Sequence, residues 1–62
     1  MDQIDAKSCY DKGLALEKAC QYTKALDNYS RAIELDIKFT QAWFHKGLCL
    51  EHLGRLKIEN LD

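Results

Sequence analysis

The sequence predicts an all-α protein built from a helix-turn-helix repeat, and three observations carry that prediction. The block Lys12-Gly13-Leu14-Ala15-Leu16-Glu17 returns 34 residues later as Lys46-Gly47-Leu48-Cys49-Leu50-Glu51, with five of six residues unchanged. A fixed period of this size marks a repeat array and matches one helix-turn-helix unit. Apolar residues recur at spacings of three and four, the period of a helix with one buried face. The 62 residues also contain no proline and three glycines, a composition suited to a chain that is helical nearly throughout.

The first helix is expected to start after Asp5, an acceptable N-cap, with Ile4 before it as a hydrophobic staple, and to run to about Ala19. Cys9, Gly13, Leu16 and Cys20 form one stripe on it, and Tyr10, Leu14 and Glu17 a second. Cys20-Gln21-Tyr22-Thr23 is the turn. A second helix over about Thr23 to Leu35 carries Ala25, Leu26, Tyr29, Ala32 and Ile33, with Asp27 and Arg31 set at i,i+4 on its wet face. Ile37-Lys38-Phe39 connects to a third helix, expected from about Gln41 to Leu53, with Thr40 as N-cap and Gly54 as C′ residue. A stub of one or two turns follows from near Leu56 to Asp62.

Gly13 and Gly47 each cost a helix interior about 1 kcal/mol against alanine, so packing must compensate. A residue without a side chain lets a second backbone cross closely. Ala25 and Ala32 lie on one face of the second helix with Tyr29 between them, so this face is the expected partner of Gly13. The third helix is apolar on most sides. Trp43, Gly47, Leu50 and Gly54 make one face, Phe44 and Leu48 a second, and Ala42, Cys49 and Leu53 extend the apolar surface further round.

Gly13, Ala25, Tyr29 and Ala32, followed by Trp43 and Gly47, resemble the signature of the tetratricopeptide repeat. The runs Ala42-Trp43-Phe44-His45-Lys46-Gly47 and Ala32-Ile33-Glu34-Leu35-Asp36 resemble those of its prokaryotic members. The resemblance implies one domain over residues 1–62, with a full repeat at about 6–39 and an incomplete one at about 40–62. It also implies a binding scaffold without chemistry of its own, whose concave groove holds a protein or peptide. The groove residues are then Tyr10, Leu14, Phe44 and Leu48. The sequence departs from the family pattern twice, with Cys20 where a glycine is usual and Ile37 where a proline is usual. Without proline, nothing in the sequence forbids the second helix from running on, or from fusing with the third. A subclass of the family clamps chaperone carboxylates with lysines and asparagines. Tyr10, Leu14 and His45 stand in those places here, which disfavours such a ligand.

Nine basic and ten acidic residues are scattered along the chain with no basic stripe, which argues against nucleic acid and anionic membrane as partners. No apolar run is long enough for a membrane span, and the acidic start Met1-Asp2-Gln3-Ile4-Asp5 is unlike a signal peptide, so a cytoplasmic protein is expected. Cys9, Cys20 and Cys49 are odd in number and lack metal-binding spacing, so they read as reduced thiols. No nucleophile motif, phosphate loop or paired carboxylate appears, so neither an enzyme nor a cofactor is expected. His45, Cys49 and His52 share one side of the third helix and could in principle offer metal ligands. Cys49 nevertheless replaces the packing residue Ala15 of the first repeat, and one helix rarely converges three ligands on one ion, so no metal is expected.

Trp43, Leu50 and Leu53 lack the intrachain partner that the first repeat supplies to Cys9 and Leu16, and exposed apolar faces of this kind mark interfaces. A homo-oligomer joined through these residues is therefore expected. Three readings remain open at this level: a module that binds a protein or peptide, a self-assembling structural unit, and a fragment of a longer repeat array.

Overall fold

Each helix begins and ends for a local reason. The computed structural model describes residues 5–59, which form α1 (Ala6–Lys18), α2 (Tyr22–Leu35) and α3 (Thr40–Glu59). The Ile4 staple and the final residues 60–62 of the expected stub lie outside the described residues. α1 opens on Asp5, whose side chain accepts a 2.8 Å hydrogen bond from the Ser8 backbone N–H. That bond holds the Asp5 carboxyl below its ordinary value of 3.8.

α1 closes through paired bonds from the Gln21 N–H to the Leu16 carbonyl and from the Cys20 N–H to the Glu17 carbonyl, both 2.9 Å. This is the Schellman arrangement, which needs a left-handed residue at its centre. Cys20 supplies it at φ 62°, where the related sequences place glycine. A side chain in that region costs about 1 kcal/mol or more, a penalty glycine escapes. Cys20→Gly is therefore expected to raise the melting temperature by several degrees, and thermal denaturation followed by circular dichroism checks it.

The connector after α2 keeps its bend without proline. Asp36 is extended at φ −148°, ψ 95°, its Oδ1 accepts from the Lys38 N–H at 3.2 Å, and its carbonyl accepts from the Phe39 N–H at 3.0 Å. The Trp43 indole N–H then donates to the Ile37 carbonyl at 2.8 Å. An Asx turn and an indole clasp thus replace the fixed φ of proline, and α2 and α3 remain separate helices.

α3 differs from expectation at both ends. The Phe39 carbonyl accepts from the Trp43 N–H, so Phe39 holds the N-cap place. Thr40 is instead the first helical residue, and its hydroxyl donates to the Lys38 carbonyl at 3.4 Å. At the other end the expected stop at Gly54 does not occur, because no glycine adopts positive φ and the helix continues to Glu59. Residues 56–59 of the expected stub are therefore the last turn of α3.

α2 lies against both other helices, and small residues mark the crossings: Ala25, Ala32, Ala42 and Cys49 have no exposed surface. Tyr29, also fully covered, is the largest side chain at the centre. A Cβ built on Gly13 would stand 2.5 Å from Cε1 of Tyr29 and 2.7 Å from its Cδ1. Gly13 is thus the floor on which the Tyr29 ring lies. The second glycine of the repeated block has no such role, since a Cβ on Gly47 would meet nothing within 4 Å.

Candidate interaction surface

The groove residues expected from the sequence are held by an arrangement built on Tyr29. Its hydroxyl donates to Glu17 Oε1 at 2.7 Å, and His45 Nδ1 lies 3.2 Å from the same oxygen. The Cys49 thiol points at that atom from 4.0 Å. One carboxylate oxygen of α1 thereby gathers a phenol from α2 and an imidazole and a thiol from α3. The Glu17 side chain is 20% exposed and that of His45 22%, so the carboxylate stays at the edge of water while serving groups inside. Burial, and then the hydrogen bond to Glu17, push the Tyr29 hydroxyl well above the ordinary tyrosine value.

His45 also joins the two parallel helices across the groove. Its ring lies 5.5 Å from that of Tyr10 on α1 and 5.4 Å, edge to face, from that of Phe44 beside it on α3. Tyr10 is half-buried, in contact with Phe39 at 5.1 Å and Tyr29 at 5.8 Å, so its orientation is fixed from three sides. Leu14 and Leu48 are half-buried one turn further along their helices, and Leu14 packs on the cluster of Ala25, Tyr29 and Cys49. Phe44 rises from this floor with 63% of its surface exposed.

The second expected surface divides. Trp43 and Leu50 are exposed, and the Lys46 ammonium lies 5.5 Å from the Trp43 ring centre. Leu53 is half-buried and turns to a shallow cavity of about 340 Å³ beside Cys20 and Tyr22. The residues weighed as metal ligands also part company. His45 turns to Glu17, Cys49 is covered in the core, and His52 stacks on Tyr22 with centroids 4.6 Å apart. Among the described residues no group of three potential ligands converges.

The family model of the tetratricopeptide repeat matches residues 6–39, more than half of the chain. The chain belongs to the tetratricopeptide repeat family. An uncharacterized protein of Methanocaldococcus jannaschii is 40% identical over 50 residues, which is 81% of this chain and 58% of that protein. Tetratricopeptide repeat protein 28 of mouse and of human are each 36% identical over 55 residues, 84% of this chain and 2% of theirs. The chain therefore spans little more than half of the archaeal relative and a small part of the mammalian ones. No solved structure matches it significantly. Tetratricopeptide repeats are generally protein–protein interaction modules, and among the described residues no helix is long and apolar enough to cross a membrane.

In this repeat the Glu17 hub is the feature that sequence reading missed. A signal was available: Glu17 is the one carboxylate in the stripe of Tyr10 and Leu14, and a charge in an apolar stripe calls for a partner. Its neighbour Cys49 gives the hub a pH signature. Burial, and next the Glu17 charge, push the thiol from 9.0 up to about 11. A raised thiol value means that the folded state holds the proton more tightly, so this stabilisation is whole below pH 9 and is lost between about pH 9 and 11. The melting temperature is expected to fall across that window. In Cys49→Ala the decline should begin later, above the ordinary tyrosine value of 10.0, where Tyr29 starts to contribute. Melting curves taken at intervals of pH check both.

Proposed function

We propose that this chain is a protein-interaction module that binds a peptide or helix on the face shared by α1 and α3. Tyr10, Leu14 and Leu48 form its floor and Phe44 is the anchor. The observation that carries this reading is Phe44, a large apolar side chain 63% exposed beside a floor fixed by the Tyr10 and His45 contacts. An exposed aromatic beside a rigid apolar floor is the makeup of a binding hot spot, since burying such a ring in a partner is worth about 1.5–3 kcal/mol. The formal charge of −1 and the absence of a basic stripe favour a protein ligand over nucleic acid, and the module carries no chemistry of its own. A cytoplasmic setting with reduced thiols fits Cys9, Cys20 and Cys49, all free.

A second reading has its own support. Trp43 and Leu50 stay exposed on the face of α3 away from the groove, and self-association through them, with Leu53 at the edge, would cover them. The two surfaces are compatible, because Phe44 and Leu48 stand on a different side of α3 from Trp43 and Leu50. Selection from a random peptide library tests the first reading. Peptides retained by the wild type should be lost by Phe44→Asp and kept by Leu50→Asp, and retention by Phe44→Asp would refute the groove.

A further inference from the structure

The glycines of α3 give the self-association reading a geometry, and the pairing they define rests on that reading. Trp43, Gly47, Leu50 and Gly54 stand at spacings of four, three and four, and so share one face of the 20-residue helix. Trp43 and Leu50 are 47% and 51% exposed. A Cβ on Gly47 or on Gly54 would meet nothing within 4 Å. In the first repeat the glycine of the same register, Gly13, is covered by the Tyr29 ring, and the helix recovers its cost through that contact. Nothing within the described residues uses the space that Gly47 and Gly54 leave.

The face reads large, empty, large, empty. Turned end for end, the same face reads empty, large, empty, large, so an inverted copy of α3 is its complement. In that alignment Trp43 falls opposite Gly54 of the second copy and Leu50 opposite Gly47 of the second copy, and two-fold symmetry repeats each contact. A parallel alignment would set indole on indole and glycine on glycine, crowding one layer and leaving a gap in the next. An unrelated helix would need the complementary spacing by chance, whereas α3 carries it in itself. We propose that two copies of this chain pair through antiparallel α3 helices, each Leu50 seated over Gly47 of the other copy and each Trp43 over Gly54.

Two measurements test the pairing. Sedimentation equilibrium should give the mass of a dimer. In a mixture of isotope-labelled and unlabelled chains, filtered nuclear Overhauser spectra should then connect the Trp43 indole to the Gly54 α protons and the Leu50 methyls to those of Gly47. A monomeric mass at the highest soluble concentration would overturn the pairing together with the self-association reading. A dimeric mass with Trp43 near Trp43, or with contacts on another face, would overturn the antiparallel geometry and leave self-association standing. Gly47→Glu provides an independent check, because the site is open within the chain and glutamate is the better helix former. This variant should keep the helical circular dichroism of the wild type and sediment as a monomer. A Gly47→Glu protein that remains dimeric would also overturn the proposal.

Discussion

Gly13→Leu is expected to lower the melting temperature by roughly 10–20 °C, the largest effect of any single change considered, because overpacking costs about 1–3 kcal/mol and a domain of this size loses about 4–8 °C per kcal/mol. The upper end of that range applies. Even a lone Cβ at Gly13 would stand 2.5 Å from the Tyr29 ring, and that ring cannot retreat: its hydroxyl is tied to Glu17 and its surface is fully covered. Tyr10 and His45 flank it at 5.8 and 5.6 Å. Either α1 moves away from α2 or Tyr29 leaves the core. Thermal denaturation by circular dichroism reads the outcome, and an unchanged melt would mean that the crossing is not where the structure puts it.

Glu17→Ala is expected to cost on the order of 2–3 kcal/mol, whereas Tyr29→Phe should cost only about 1 kcal/mol. The two changes delete the same hydrogen bond, yet they leave different remnants. Without Glu17, the buried Tyr29 hydroxyl has lost its acceptor, and His45 and Cys49 lose the atom toward which they point. Without the hydroxyl, Glu17 keeps His45 and, being 20% exposed, reaches water. Urea denaturation of the two variants separates the cases. Equal losses would show that the hub contributes no more than its one phenol bond.

The parts of this fold legible in the sequence were those in which one residue type answers a local demand. An unexplained glycine at position 13 announced a close crossing, and the alanines flanking Tyr29 located it. Asp5 announced a cap, and Cys20 in place of glycine announced a left-handed residue carrying a side chain. The length of α3 was not legible. Gly54 can close a helix or continue one, and only its φ decides between them. The connector was misjudged for a related reason: Asp36 and the Trp43 indole perform the work of the missing proline, and hydrogen bonds spanning two and six residues have no pattern in a sequence. The Glu17 hub joins residues 12, 28 and 32 positions apart, so only the packing of three helices brings its members together. Of the surfaces, Phe44 and the exposure of Trp43 and Leu50 could be anticipated from a helix apolar on most sides. The turning of Leu53 toward Cys20 and Tyr22 could not.

The central claim is that the face of α1 and α3 binds a protein segment, and chemical-shift mapping of a library-selected peptide onto the labelled protein tests it most directly. The account predicts that shifts on titration concentrate at Tyr10, Leu14, Phe44 and Leu48, with those of Trp43 and Leu50 unmoved. Shifts confined to Trp43 and Leu50, or scattered without saturation, would contradict it.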